Sequence, residues 1–315
     1  GDVYKRQVVQ DILRLAVYQL LFMNVPHYAL CSQWAEMAVK LGKGAQKGYI
    51  NGVLRSIIRA MPNLPLPEKE AQPAKYLSVK YSYPEFLVKE SLSERGWEET
   101  EKMLSYQPEY YTSVRFEQSK ITREDFIKEL DRLDCQYKPG LLYNNVFLIK
   151  GNKIFQDNLF KSGICSVQSE PSMLVCNVVH PLKGCRVLDC CAAPGGKSVY
   201  MAALMGEGEV TAMDKYGHRV ELIKANAARC GAENIVHALE GDASEYNAQL
   251  GMFDSVLLDA PCSGLGVCAG KPDIKLRITP EALIETESLQ RRILDTAALY
   301  VRPGGALVYS TCTVR

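Results

Sequence analysis

The chain is predicted to be an α/β protein, with a doubly wound parallel sheet in its C-terminal half behind an all-helical segment and a small α+β unit. Three observations carry this. Beyond residue 166, short apolar runs alternate with helical stretches. Residues 8–60 repeat apolar side chains at helical spacing instead. Pro62, Pro65, Pro67 and Pro73 then punctuate the chain. The expected divisions are residues 1–65 helical, 66–105 linker and short helices, 106–165 α+β, and 166–315 the parallel α/β domain.

Taken in order, Val9, Ile12, Leu13, Val17, Leu20 and Leu21 mark a first helix. A second covers about 31–41 and ends at Gly42, and a third, 46–60, sets Ile50, Val53, Leu54, Ile57 and Ile58 on one face. Two short helices are expected over 84–105, with Pro84 at the start. Thr112 to Phe116 reads as a strand, and Thr122-x-x-Asp125 caps a helix at about 123–134. Leu141-Leu142 and Val146 to Ile149 read as strands around an Asn144-Asn145 turn. The α/β domain should hold strands at 185–190, 208–214, 235–240, 253–259 and 305–310, and helices at about 197–205, 216–230 and 280–301.

Composition narrows the function. Of 315 residues, 47% are hydrophobic and 23% charged, ordinary for a soluble globular protein, and no apolar run is long enough to span a bilayer. Nor does the chain begin with a signal peptide. A net charge of +1 rules out a uniformly basic nucleic-acid binder, but residues 1–60 are locally basic. There Lys5, Arg6, Arg14, Lys40, Lys43, Lys47, Arg55 and Arg59 face only Asp2, Asp11 and Glu36, which suits a phosphate-facing surface or a solvated helical face equally. The 11 cysteines form no CxxC pair, and the histidines no ligand spacing, so a reducing cytoplasmic setting without disulfides or metal is expected. A monomer is expected.

Three motifs carry chemistry. In the first, Val187-Leu188-Asp189 runs through Cys190 and Cys191 into Ala192-Ala193-Pro194-Gly195-Gly196-Lys197. Glycines after a first strand let the backbone approach a ligand, yet the pattern is not the dinucleotide GxGxxG, so NAD is disfavoured. Asp214 ends the second strand and can accept ribose hydroxyls; Asp242 ends the third, placed for an adenine edge. With Asp259, three acids end successive strands on one edge, which favours S-adenosylmethionine or another nucleoside. The other two motifs are Asp259-Ala260-Pro261-Cys262-Ser263-Gly264 and Tyr309-Ser310-Thr311-Cys312-Thr313. If strands four and five are neighbours, both thiols sit at that edge. Carbon 5 of a pyrimidine is too weak a nucleophile to take a sulfonium methyl, and a thiolate adding at carbon 6 makes it enamine-like. Such a thiolate must be populated near neutral pH, in a polar, partly exposed site. A single strand-end cysteine is usually packing; two at matching positions are not easily so. The spacing leaves open which one attacks.

The motifs resemble the bacterial Sun/RsmB family of small-subunit (16S) rRNA cytosine-C5 methyltransferases. The resemblance rests on Val187 to Asp189 with Cys191 to Lys197, Asp214, Gly241-Asp242-Ala243, Leu257 to Gly264, Lys271 to Lys275, Arg302 to Gly305 and Tyr309 to Thr313. It reaches back to Asn51-Gly52-Val53-Leu54-Arg55, similar to the NusB-like RNA-binding helical domain fused to that family. It implies a Rossmann-like class I methyltransferase domain, here cut short at the C-terminal end of its sheet, with S-adenosylmethionine as cofactor and rRNA as partner. Carried over by motif, Cys312 is implied as the nucleophile and Cys262 as the residue of product release, although analogy with DNA cytosine-C5 enzymes would make Cys262 the nucleophile. Asp259 is implied at the N3/N4 edge of the base, near the methyl, and is also counted among the residues that bind the cofactor. Cys191, Ala192, Ala193, Pro194, Gly195, Gly196, Lys197, Asp214 and Asp242 are implied to hold the cofactor, with Arg219 in support. Lys197, Lys271 and Lys275 are candidates for RNA contact.

The chain departs from the family pattern at three places. Ala269-Gly270 stand where two arginines are usual, Val167-Gln168-Ser169-Glu170 replaces a Gln-Asp-Glu sequence, and Arg115-Phe116-Glu117 lacks the usual Asn. Two other readings compete. One is an RNA-binding or antitermination module with weak or lost catalysis, against which both thiols and all three acids speak. The other is a small-molecule methyltransferase, which would need neither the paired thiols nor the helical segment.

Overall fold

The computed structural model describes residues 2–23, 25–61 and 63–313, and the side chains from residue 7 onward. Pro62 of the expected linker, and Asp2, Lys5 and Arg6 of the charge count as side chains, lie outside the described residues. The chain forms two compact units, 1–80 and 81–315.

In the first unit, α1 (Asp2–Phe22), α2 (His27–Lys40) and α3 (Lys47–Ala60) pack around one core. Val9, Ile12, Ala16 and Leu20 of α1 meet Leu30, Cys31 and Ala38 of α2 and Ile50 and Leu54 of α3. Each fully buried Leu or Ile is worth roughly 1.5–3 kcal/mol. The buried stripe of α1 runs through Val9, Ile12, Ala16 and Leu20, and Leu21, about 100° further round the helix, is exposed. Pro73, expected in a linker, opens α4 (Pro73–Tyr81). Proline is favoured at a first helical position, where its missing N–H would have no partner.

In the second unit, α5 (Glu85–Ser105) breaks at Gly96, whose φ of 74 and ψ of −176 separate the two expected helical halves. Then follow β1 (Thr112–Phe116), α6 (Arg123–Arg132), β2 (Gln136–Pro139), β3 (Val146–Lys150), α7 (Lys153–Gln156), α8 (Asn158–Lys161) and β4 (Cys165–Val167). The strands make a four-stranded antiparallel sheet in the order β2-β3-β1-β4, and the Thr122 hydroxyl caps α6 by accepting from Asp125 N. Leu141-Leu142 is not the expected strand. It is a loop with its side chains 90% and 64% exposed, and β3 pairs with the more polar Gln136–Pro139 instead. The physical reason is Glu170, whose carboxylate accepts from the N–H groups of Leu141, Leu142 and Tyr143 at 2.7–3.0 Å and takes the donors a ladder would need.

After α9 (Glu170–Val179) comes the alternating half: β5 (Arg186–Asp189), α10 (Gly196–Met205), β6 (Glu209–Asp214), α11 (Gly217–Cys230), β7 (Val236–Glu240), β8 (Phe253–Asp259), α12 (Ile274–Arg277), α13 (Pro280–Ala298) and β9 (Val301–Ser310). All adjacent pairs are parallel, in the order β7-β6-β5-β8-β9. Val187, Val210, Ala212 and Leu257 face a core shared with α9, α10 and α11. Leu188, Met213, Val256 and Leu258 face Ile293, Ala297 and Tyr300 on the other side. Covering on both faces explains why these strands read as continuous apolar runs. No described helix is long and apolar enough to cross a membrane.

Candidate active site

A parallel sheet brings every strand's C-terminal end to one edge. There β5 ends at Asp189, β6 at Asp214 and β8 at Asp259, with Asp242 two residues past β7 and Cys312 two past β9. The winding reverses between β5 and β8, and ligands bind in the crevice outside such a reversal.

The loop from β5 to α10 is pinned from three sides. Ala192 N donates to Met213 O at 2.9 Å, Gly195 N to Ala192 O at 2.7 Å, and Asn226 Nδ2 to Pro194 O at 3.1 Å. Gly195 has φ +96, and a Cβ there would lie 3.1 Å from the Ile223 backbone, so only glycine lets the loop approach α11 this closely. A Cβ on Gly196 would meet nothing within 4 Å. Asp214 is buried; its Oδ1 accepts from Tyr216 N, and the Arg219 guanidinium lies 3.4 Å from Oδ2. Arg219 thus braces a carboxylate. Asp242 takes Lys215 Nζ at 2.6 Å and both N–H and hydroxyl of Ser244, and the Lys215 hydrogen bond, followed by the Ser244 N–H, holds its carboxyl down at about 2. Burial pushes the Cys191 thiol up to about 12, so it stays neutral, and Cys190 is core packing.

Asp189 is 1% exposed, and burial pushes its carboxyl up from the ordinary 3.8 to about 6 against the pull of the Ser198 hydroxyl at 2.7 Å. An acid that holds its proton more tightly when folded stabilises fully below about pH 4, and the contribution fades as pH rises through about 6. At about 1.36 kcal/mol per pH unit it is worth roughly 3 kcal/mol. Thermal melts between about pH 4 and 7 are expected to show this decline in the wild type and a flatter profile in Asp189→Asn. An unchanged slope in the variant would assign the decline to another group.

The two motif cysteines lie where β8 and β9 pair, with Asp259 opposite Ser310. Lys197 Nζ donates to Asp259 Oδ2 at 2.7 Å and Ser310 Oγ to Oδ1 at 2.7 Å. Burial is the largest influence on Lys197 and works to discharge it, but the charge and hydrogen bond of Asp259, together with the Asp189 charge, outweigh it and raise the ammonium's pKa. The Cys262 and Cys312 sulfurs are 2.7 Å apart, both as free thiols. The loops carrying them are tied by the Ser263–Thr313 side-chain hydrogen bond, by Gly266 N to Cys312 O at 3.0 Å, and by Gln290 Nε2 to Pro261 O at 2.7 Å. The expectation of a populated resting thiolate needs correction for Cys312. Residue 312 is exposed as a whole, but desolvation of its sulfur, and then the Cys262 hydrogen bond, push the thiol up to about 11.

The structure therefore brings Cys262, Cys312, Asp259 and Lys197 together, beside the loop and acids assigned to a cofactor. The Lys275 ammonium sits 4.0 Å over the Tyr83 ring. Ser310 lies inside the Tyr309 to Thr313 motif, but its partner Asp259 is 51 residues away and is met only because the two strands pair. Among the described residues no cluster of His, Cys, Asp and Glu could hold a metal.

A parallel sheet with its glycine turn after the first strand and acids on the following strand ends defines a Rossmann-like class I methyltransferase. Its methyl donor is S-adenosylmethionine, and the residues fit it: a glycine loop open at Gly196, and the braced, buried Asp214 carboxylate where ribose hydroxyls would be met. The chain belongs to the 16S rRNA methyltransferase RsmB/F family, whose model matches residues 176–315, and the NusB family model matches residues 4–59. A probable ribosomal RNA small subunit methyltransferase B of Bacillus subtilis (strain 168) is 38% identical over 313 residues, 97% of this chain and 69% of that protein. Ribosomal RNA small subunit methyltransferase B of Shewanella oneidensis is 30% identical over 98% of this chain and 71% of its own. The crystal structure of PH0851 matches with a TM-score of 0.84 and 29% identity over 97% of this chain and 69% of that one. NSun6 from Pyrococcus horikoshii, 22% identical, shares the fold over 75% of this chain and 84% of its own, with a TM-score of 0.67.

Proposed function

We propose that the protein methylates carbon 5 of a cytosine in small-subunit rRNA through a covalent bond between Cys312 and carbon 6 of the base. The observation that carries this is the pair of thiols 2.7 Å apart beside the Lys197–Asp259 ion pair. A methyltransferase acting on a heteroatom has no need of two thiols.

The target base leaves its stack to reach the strand ends, so single-stranded or loop RNA is the substrate form. Asp259 accepts from the N4 amino group, and its pair with Lys197 carries the proton that N3 takes up. Cys312, its own proton released to water, adds to carbon 6; the ring π electrons shift toward N3, and carbon 5 becomes nucleophilic. Bound S-adenosylmethionine supplies an electrophilic methyl group. Cys262, next to the reacting carbons, assists removal of the carbon 5 proton; the carbon 6–sulfur bond then breaks and aromaticity returns. The loop from Cys191 to Lys197, Asp214, Arg219 and Asp242 position the cofactor. The helical unit, with Lys40, Lys43, Lys47, Arg55 and Arg59, adds phosphate contacts.

The NusB-family match favours one alternative, an RNA-binding module whose catalysis has been lost. One assay separates the two. Unmethylated small-subunit rRNA is incubated with protein and methyl-labelled cofactor, then digested to nucleosides. Label in 5-methylcytidine is expected. Label in another nucleoside, or RNA binding without any transfer, would overturn the proposal.

A further inference from the structure

We infer that Ser310 is a positioning residue for the methyl transfer, acting through Asp259; the inference rests on the cytosine-C5 reading above. Asp259 is held by two donors of different kinds. Lys197 reaches across from α10 to Oδ2, and Ser310, its register partner on β9, donates to Oδ1, both at 2.7 Å. A carboxylate with one anchor can swing about its Cβ–Cγ bond. With each oxygen anchored, its plane is set, and each oxygen keeps one lone-pair direction for the base edge. The residue is two positions from Cys312 in the same strand end, so the hydroxyl also couples the height of the carboxylate to that of the nucleophile.

A purely structural role, holding β8 to β9, is already filled. Ala260 N donates to the Ser310 backbone carbonyl at 2.9 Å, and Gly266 N to that of Cys312 at 3.0 Å. Neither bond uses the hydroxyl. Removing it leaves the strand ends paired and the Asp259 oxygen without its donor. A hydrogen bond to a charged group that orients a reacting partner is worth about a ten- to hundredfold change in rate.

The test is a kinetic cycle on the whole chain with small-subunit rRNA and labelled S-adenosylmethionine. Ser310→Ala is expected to lower kcat about ten- to hundredfold while the KM values for RNA and cofactor change less than about twofold and the melting temperature is kept. Ser310→Thr, which returns a hydroxyl to a strand position that suits a β-branched residue, is expected to restore most of the rate. In an Asp259→Ala background, measured as single-turnover methyl transfer, Ser310→Ala should cost nothing further, because its effect runs through the missing carboxylate. A rate unchanged in Ser310→Ala, no rescue by threonine, or an undiminished loss in the Asp259→Ala background would each overturn the inference. Failure of the cytosine-C5 reading would show separately, as absence of 5-methylcytidine from the wild-type product.

Discussion

Cys312→Ser is expected to reduce methylation of small-subunit rRNA by at least about a thousandfold, with RNA and cofactor binding retained. The oxygen of serine is close to the sulfur in position, but its proton is held far more tightly and it is a poor nucleophile toward an unactivated ring carbon. The fold should tolerate the change. Cys312 is exposed, its side chain meets Cys262, and its backbone carbonyl keeps the bond from Gly266 N whatever the side chain. Filter binding of labelled RNA and calorimetric titration of S-adenosylmethionine would confirm an intact site, and the methyl-transfer assay would read the loss. A variant that keeps a tenth or more of the wild-type rate would remove Cys312 from the nucleophile's role.

The second large effect is expected at Cys262, and it has the opposite signature. In Cys262→Ala the bond to carbon 6 still forms, but the step that clears carbon 5 of its proton and expels the sulfur is impaired. Turnover should fall by roughly a hundredfold or more, within the range for loss of an acid–base group, while the adduct accumulates. On a denaturing gel, protein incubated with rRNA and S-adenosylmethionine should run as an RNA-linked band. That band should vanish when Cys312 is also replaced. The 2.7 Å separation of the sulfurs makes this a sharp discrimination, since position alone favours neither. An RNA-linked band in Cys312→Ala and none in Cys262→Ala would exchange the two roles.

Much of the molecule is legible in one dimension, because it rests on local periodicity. The strands of the parallel sheet are found by their apolar runs without knowing their neighbours, although β9 begins at Val301, ahead of the expected 305, because Arg302 to Gly305 carry no apolar run, and Gly195 marks a turn by its residue type and its place between a strand and a helix. Leu141-Leu142 shows where this fails. Two leucines beside an asparagine turn satisfy every local rule for a strand, yet a carboxylate 28 residues downstream claims the backbone donors. Likewise Pro73 looks like a breaker until its position at the start of a helix is known, since the residue that ends one element can begin the next.

For the site, the chemical inventory is legible in one dimension: two thiols and three acids just at or beyond the ends of apolar runs, and a lysine in the glycine turn that follows the first of them. A strand's direction is a local property, so the edge on which these residues fall needs no tertiary information, although Asp242 lies two residues past β7 rather than at its end. Adjacency belongs to the packed chain. That β8 and β9 lie side by side sets Cys262 against Cys312, puts the Ser310 hydroxyl on Asp259, and lets Lys197 from the other side of the crevice close on the same carboxylate. Packing also sets the resting charge of the proposed nucleophile: an exposed strand-end cysteine suggests a ready thiolate, whereas desolvation and a partner thiol push the Cys312 thiol up to about 11. Strand neighbours and local solvation are collective properties of the packed chain, and no single segment encodes them.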